Sequence, residues 1–549
     1  MSEWWRGAVI YQIYPRSFQD SDGNGIGDLK GIMERLPHVA DLGADAIWLS
    51  PIFTSPMADM GYDVSDYRNI DPLFGTLGDF DHLLATAHGL GLKVIVDQVI
   101  SHTSSQHPWF IESRKSAKDE MSDWYVWADP KKDGTPPNNW LSVFGGSAWE
   151  WDSRRRQYYL HNFLPTQPDL NFHNPAVQDA VLDVLKFWLD RGLDGFRMDT
   201  VNYYFHDTSL RDNGIEPRKD KRPPANPNEM QDHRQIKSQP ENLPFLERMR
   251  ALTDQYEDRM LVGEVGENPR NAVRVMAEYT SGRRLHMAYS FDMLGPEFTA
   301  KHFRSRIEGF FKGAPDGWPS WSFSNHDVER HVTRWAPEHG VNESAIAKLS
   351  IAMLSAFEGT IGLYQAEELG QTETDILYEE LTDPPGFRFW PDYKGRDGCR
   401  TPMVWDSTPH AGFTSGQPWL PIKAPQQAKN VQGQLGRNDS VLHAYRSALA
   451  FRKSRPELVT GKTRFIDLPE PILAFHREGG DHRLTCIFNL GKPAIVLKVS
   501  GQPVLTGPSE SVVFDGTEVH LGGNGFCYLD SRMMDAAPKL RLNKPKSAA

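Results

Sequence analysis

Cysteine is scarce in this chain. Cys399, Cys486 and Cys527 are three thiols in 549 residues, an odd number with no metal-ligand spacing, which excludes a disulfide framework and a zinc site and leaves them as reduced thiols. Long apolar runs are missing too: no stretch approaches the roughly 18 residues that a membrane-spanning helix needs. The first residues, Met-Ser-Glu-Trp-Trp-Arg-Gly, lack a basic segment leading into an apolar one, so the expectation is a cytoplasmic protein. Positive charge is in deficit, 60 Lys and Arg against 72 Asp and Glu for a net charge of −12, which argues against a nucleic-acid backbone as partner. The length admits several domains, or one barrel with insertions, and a sizeable core. Aromatic residues are plentiful, but such rings fill cores as readily as they stack on sugars, so no partner follows from their number.

The chain has the grammar of a parallel sheet. Val9 to Tyr14 reads as a strand, 29–42 as a helix, Ala46 to Leu49 as a strand, 76–90 as a helix and Lys93 to Asp97 as a strand. Asn174-Pro175 then supplies an N-cap followed by proline at the first helical position. Val177, Val181, Val184, Leu185, Trp188 and Leu189 follow at helical spacing until Gly192 stops the helix. Further strands are predicted to end on Asp199 and Glu264, then at His286 to Phe291, at Ser320 to Ser324, and at Thr360 to Tyr364. Eight strands separated by helices predict a (β/α)8 TIM barrel over 1–103 and 173–459, with chemistry at the C-terminal ends of its strands. His102, Asp199, Glu264, His326 and Asp327 all fall at that rim.

Three stretches break the grammar. Residues 104–172, rich in Trp, Pro, Gly and Asp, are too long for a simple connection and predict a small inserted domain after strand three. Residues 207–242, dominated by Pro, Arg, Lys, Asp and Asn, read either as a mobile loop over the site or as plain disorder. From 460 to 535 short alternating runs separated by Gly and Pro predict an antiparallel C-terminal β-sandwich, and the basic tail 536–549 is expected to be unstructured.

Two stretches carry chemistry on their own. In Gly195-Phe-Arg-Met-Asp-Thr200 an extended backbone puts Arg197 and Asp199 on one face. The arginine favours an ionised Asp199, available as a nucleophile, although a buried ion pair capping a core strand has the same signature. Asp20-Ser-Asp22-Gly-Asn24-Gly-Ile26-Gly-Asp28 matches the first part of a calcium loop, with Asp20, Asp22, Asn24 and Asp28 offering side-chain oxygens and Ile26 a carbonyl. Gly31 stands where the closing bidentate Glu would be, so the loop reads as a structural Ca²⁺ site or as a solvated Asp/Gly turn. No organic cofactor is expected.

Taken together, Tyr11-Gln-Ile-Tyr-Pro-Arg-Ser-Phe18, Gly61-Tyr-Asp-Val-Ser-Asp-Tyr67, Gly195-Phe-Arg-Met-Asp199, Gly263-Glu264, Ser324-Asn-His-Asp327 and Gly395-Arg-Asp-Gly-Cys-Arg-Thr-Pro402 resemble the α-amylase family of glycoside hydrolases, in its bacterial α-glucosidase and oligo-1,6-glucosidase branch. The resemblance covers nearly the whole chain up to the C-terminal domain. It implies a retaining mechanism with Asp199 as nucleophile, Glu264 as general acid/base and Asp327 as transition-state stabiliser. It also implies sugar binding by Asp59, Tyr62, His102, Phe144, Arg197, Thr200, His326 and Arg396, with Asp59 and Arg396 pairing to close the pocket around one terminal glucose of a short oligosaccharide.

Three residues depart from the family pattern. Ser101 replaces the usual asparagine before the strand-three histidine, which removes the expectation of an interdomain calcium site and leaves the Asp20 loop as the metal candidate. Ala366 stands in a usual Gln-Gly-Glu-Glu. Thr200 replaces the valine of oligo-1,6-glucosidases, which implies a preference for α-1,4 over α-1,6 linkages, with maltose, and sucrose beside it, as expected substrates. Glucosyl transfer or isomerisation by the same covalent intermediate stays open, whereas a non-catalytic scaffold role is disfavoured by the complete carboxylate set.

Overall fold

The computed structural model describes residues 3–218, 222–336 and 342–543. Eight parallel strands, β1 (Val9–Ile13), β2 (Ala46–Leu49), β3 (Lys93–Gln98), β4 (Gly195–Met198), β5 (Met260–Val265), β6 (Met287–Ser290), β7 (Ser320–Ser322) and β8 (Thr360–Tyr364), form one sheet in the order β6-β5-β4-β3-β2-β1-β8-β7. A parallel bridge between Ala288 and Pro319 joins its two ends and closes it into a barrel. The strands are buried nearly throughout, as parallel strands covered by helices must be. The helices carry the predicted signals. Asp28 caps α1 (Leu29–Leu42) by accepting from the Gly31 N–H, and Leu29, Ile32, Leu36 and Val39 bury one face of it. Asn174 caps the helix Pro175–Asp190 through the Ala176 N–H, with Pro175 in its first turn.

The insertion after β3 forms a three-stranded sheet from Trp127–Ala128, Gln157–Leu160 and Trp149–Asp152, over a core that includes Trp140, Trp149 and Leu160. The described part of 207–242 is tied down on it rather than lying as a free loop. Ile236 enters that core, and Asn139 and Asn213 exchange bonds of 2.8 and 3.0 Å between side chain and backbone. Residues 219–221 of that segment lie outside the described residues.

The C-terminal domain is antiparallel, and among the described residues its seven strands all belong to one hydrogen-bonded sheet. The long strand Glu518–Arg532 pairs with His482–Asn489 through one half and with Ile495–Val499 through the other. Alternation along Ile472–Gly479 sends Ile472 and Ala474 into the domain's own core, while Leu473 and Phe475 join the core it shares with the barrel. The expectation of an unstructured tail from 536 is corrected for its first part. Leu540–Leu542 is an edge strand paired antiparallel to Ile495–Val499, because Leu540 finds an apolar site in the domain core. Residues 544–549 lie outside the described residues. Among the described residues no helix is long and apolar enough to cross a membrane.

Barrel and C-terminal domain are joined at Arg452, fully buried on the helix Val441–Ser454. Its guanidinium donates to the carbonyls of Gly7, Ser355, Phe357, Leu458 and Gly359, which draws the start of β1, the approach to β8 and the chain entering the C-terminal domain onto one group. Arg452→Met would leave these buried carbonyls without donors and is expected to destabilise the chain by about 3–5 kcal/mol. Urea unfolding should show a lowered midpoint at constant m-value, with activity per folded molecule unchanged.

Candidate active site

Barrel register assembles the centre of the site. Asp97 on β3 is the lateral partner of Arg197 on β4, and Arg197 is the partner of Val262 on β5, two residues before Glu264. A period of two keeps Arg197, Asp199 and Glu264 pointing into the barrel mouth. Arg197, fully buried, makes ion pairs with Asp97 (2.7 Å), Asp199 (2.5 Å) and Glu264 (2.5 Å). The Tyr289 hydroxyl on β6 accepts from Arg197 at 2.9 Å and donates to Glu264 at 3.1 Å. The face of Trp48 lies 5.0 Å from the guanidinium carbon.

One cation thus serves three buried carboxyls. Burial pushes Asp97 up to about 6, and Asp199 and Glu264 each up to about 7, against the lowering effect of Arg197, with the neighbouring carboxylates adding to the rise. The guanidinium that the sequence pairs with Asp199 is thus divided among three acids, which weakens its hold on the ionised form of Asp199. Asp327 differs. Burial would raise it, but the charges around it outweigh burial and hold it well below the usual carboxylate range. His326 is itself pushed down to about 3 by burial, so near neutral pH the guanidinium groups of Arg400 at 2.9 Å and Arg396 at 3.3 Å supply that positive charge.

Around this centre the remaining predicted residues converge. Arg396 pairs with Asp59 at 2.8 Å as expected, and also with the buried Asp383 at 2.6 Å, while the Phe144 ring lies 5.0 Å from its guanidinium carbon. Tyr62 stacks on His326 with ring centroids 5.3 Å apart and donates to Asp97 at 2.9 Å. Gln12 on β1 approaches His326 Nδ1 at 2.7 Å. His102 is buried, with Nδ1 on the Ser101 hydroxyl (2.9 Å) and Nε2 between the Tyr62 carbonyl (2.9 Å) and the Gln167 amide (3.2 Å).

Thr200 has a left-handed backbone (φ 40°), a conformation that disfavours a β-branched residue. That backbone aims its N–H at Glu264 Oε2 (3.1 Å) and its hydroxyl at Asp199 Oδ2 (3.1 Å), so both catalytic candidates meet at one residue. Ala366 is likewise left-handed (φ 68°) and buried, which accounts for a preference for glycine at that position.

On the loop after β1, one ligand oxygen each of Asp20, Asp22 and Asp28 lie within 4.8 Å of one another, close enough to share one cation. Asp20 also accepts from the N–H groups of Asp22, Gly23 and Gly25, and Asn24 accepts from Ile26, which folds the loop tightly around that point. Gly25 meets the Gln417 carbonyl so closely that a Cβ there would sit 1.9 Å from it, packing the loop against the 414–418 segment.

Asp97, Tyr289, Gln167, Asp383 and Arg400 belong to the site but were not predicted. Asp97 and Arg400 stood within recognised patterns, the β3 run and the Arg-Asp-Gly-Cys-Arg motif, whereas Asp383 is the N-cap residue of the short helix Pro384–Phe389, and nothing local marks its pairing with Arg396.

The alpha amylase catalytic-domain family (Alpha amylase, catalytic domain) matches residues 12–461. A probable alpha-glucosidase of Rhizobium meliloti (strain 1021) is 55% identical over 499 residues, covering 90% of this chain and 90% of that protein. An oligo-1,6-glucosidase of Parageobacillus thermoglucosidasius is 38% identical over 537 residues, covering 90% of this chain and 92% of the other. The crystal structure of an alpha-glucosyl transfer enzyme, XgtA, superposes with a TM-score of 0.94 at 50% identity, covering 97% of this chain and 100% of that one.

The charge arrangement predicts how stability responds to loss of its cation. The folded pKa values of Asp97, Asp199 and Glu264 lie above those of the unfolded chain, so the folded state binds more protons, and their contribution is fully present below about pH 4 and lost as pH rises through 6 to 7. Arg197→Met should raise these values further and cost about 3–5 kcal/mol at pH 8, with a much smaller deficit at pH 5. Denaturant titrations of both proteins across that range measure it; a deficit independent of pH would contradict the shared-cation account.

Proposed function

We propose, on the premise that the chain belongs to the α-amylase family of glycoside hydrolases, that it is a retaining, exo-acting α-glucosidase of short oligosaccharides that prefers α-1,4 over α-1,6 linkages. The observation that carries this reading is Arg197 gripping Asp199 and Glu264 with its two terminal nitrogens. Such a grip keeps two carboxyls close together, as the separation of about 5–5.5 Å in retaining glycosidases requires. In the first displacement Asp199 attacks the anomeric carbon while Glu264, poised near 7, passes its proton to the departing oxygen. In the second, Glu264 takes a proton from water, which attacks the same carbon and frees Asp199 with the α configuration retained. Asp327, held ionised by Arg396 and Arg400, accepts hydrogen bonds from hydroxyls of the bound glucose. Arg396, fixed by Asp59 and Asp383, walls the pocket beyond one glucose and supports exo action.

Thr200 supports the linkage preference. Its hydroxyl lies beside Asp199, where a valine would present only methyls to the leaving sugar. Discrimination of this kind is worth about 1–3 kcal/mol, a change of ratio rather than an absolute switch. A second reading, transfer of the glucosyl group to a sugar hydroxyl in place of water, is favoured by the likeness to the alpha-glucosyl transfer enzyme. Incubation with maltose, sucrose, isomaltose, trehalose and longer malto-oligosaccharides, with all products resolved, tests both readings. We expect glucose released singly, efficiency falling with chain length, and maltose and sucrose cleaved faster than isomaltose. Equal or better efficiency on isomaltose would overturn the linkage preference, and new disaccharides or trisaccharides would establish transfer.

For the loop after β1, we propose a structural Ca²⁺ held by Asp20, Asp22, Asn24, the Ile26 carbonyl and Asp28. Support comes from the convergence of the acidic oxygens and from the hardness of an all-oxygen donor set. Because Asp28 also caps α1, the ion would stabilise the start of the barrel by mass action. Exhaustive chelation should lower the melting temperature while initial activity of the folded protein persists. An unchanged melting curve with no calcium found by metal analysis would refute the site.

A further inference from the structure

Between the sugar pocket and the nucleophile runs a row of polar groups whose proton count is constrained. Gln167 Nε2 lies 3.1 Å from Asp59 Oδ2 and 3.2 Å from His102 Nε2. His102 Nδ1 lies 2.9 Å from the Ser101 hydroxyl, that hydroxyl 3.0 Å from Thr200 Oγ1, and Thr200 Oγ1 3.1 Å from Asp199 Oδ2. From the imidazole to Asp199 there are three links and only two hydroxyl protons. With Asp199 ionised, the third proton must come from His102 Nδ1, because a carboxylate donates nothing. The order of donation is then fixed: His102 Nδ1 to Ser101, Ser101 to Thr200, Thr200 to Asp199. His102 Nε2, left as an acceptor, faces the second N–H of the Gln167 amide, whose first N–H goes to Asp59. Every link of the row is then made with one polarity, while the Tyr62 carbonyl 2.9 Å from Nε2 takes no proton from the imidazole.

We propose that Ser101 is a positioning residue for the nucleophile: held by the Nδ1–H tautomer of His102, its hydroxyl orients the Thr200 hydroxyl toward Asp199 and stabilises the carboxylate. This rests on the reading of Asp199 as the nucleophile. Serine suits the place because its single oxygen accepts from one neighbour while donating to the next, and the left-handed backbone of Thr200 holds the last link in place. The competing arrangement puts the proton on Nε2, toward the Tyr62 carbonyl at 2.9 Å, and reverses Ser101 onto Nδ1. Ser101 then no longer donates to Thr200: with Asp199 ionised the Ser101–Thr200 link is unmade, and only with Asp199 protonated does the whole row run in the reverse direction. A buried, neutral imidazole can take either form, and burial indeed pushes His102 down to about 4. The other charges facing Asp199 are Arg197 on its own strand, Asp97 on β3, Glu264 on β5 and Asp327 with His326 after β7, and the buried hydroxyls of Tyr62, Tyr67 and Tyr204 lie nearby. None of them bonds Thr200 Oγ1, so the hydroxyl row can be tested apart from them.

The test is the pH profile of kcat/KM on maltose for wild type, Ser101→Ala, Thr200→Val, the double variant and Ser101→Thr. Loss of a hydrogen bond that favours the charged form raises the carboxyl pKa, so the acid limb should move to higher pH, by about one unit in Thr200→Val and by less in Ser101→Ala. Because Ser101 acts through Thr200, the double variant should match Thr200→Val, and Ser101→Thr should restore the wild-type limb. An unmoved acid limb in Ser101→Ala, or a Ser101→Ala shift that persists undiminished in the Thr200→Val background, overturns the proposal. Asp199→Asn separates the premise: if that variant keeps activity within about tenfold of wild type, the nucleophile assignment itself is wrong. If it is inactive while the limbs do not move, only the positioning role of Ser101 fails.

Discussion

The site depends on one buried guanidinium shared by three carboxyls. Arg197 is surrounded by Asp97, Asp199 and Glu264 at ion-pair distance, and each acid lies on or just beyond a different position of three adjacent strands. Isolated, any of these groups would be costly to bury; together they are held in place by hydrogen bonds to one rigid, planar cation. The excess of acid over base favours a proton held among these carboxyls, as the proposed mechanism asks of Glu264, while the same cation tethers Asp199 two residues away. Stability and reactivity therefore rest on the same group, and the barrel supplies the rigidity that keeps the three acids from moving apart.

The rim repeats this arrangement with the charges more evenly matched. Arg396 and Arg400 meet Asp59, Asp383 and Asp327, and here Asp383 and Asp327 are held below their ordinary range, while burial still pushes Asp59 up to about 6. Two clusters of similar composition thus differ in how many of their acids are held ionised, because they differ in the number of cations. The insertion after β3 contributes Phe144 and Gln167 to this second cluster, and the described part of the 207–242 segment braces that insertion, so loops far apart in the chain converge on the same few polar groups.

Much of this was legible in the sequence where local pattern and global fold agree. Ala46–Leu49 and Thr360–Tyr364 coincide with the predicted strands because short β-branched or apolar runs are bounded by polar turns, and the helix after Asn174-Pro175 carries both its cap and its periodicity. What escaped depends on partners distant in sequence. Asp383 precedes a helix of only six residues, Pro384–Phe389, and only the fold brings it against Arg396. Leu540–Leu542 is three residues with no pattern of its own, made a strand by the open edge it meets. The sharing of Arg197 escaped because an adjacent arginine is visible in the sequence, while the two acids that compete for it come from neighbouring strands.

The shortage of positive charge around Arg197 also determines what else the pocket will hold. A neutral sugar, the ligand proposed for this pocket, would enter without changing that balance. A sugar analogue with an ammonium group in place of the ring oxygen brings the missing cation with it. Coulomb attraction then favours the fully ionised trio, and its entry expels the retained proton into the solvent. Such an amine would bind more tightly as pH rises toward its own pKa, in buffers that differ only in their heat of ionisation it would show different calorimetric enthalpies, and it would discriminate by charge among compounds that present identical hydroxyls.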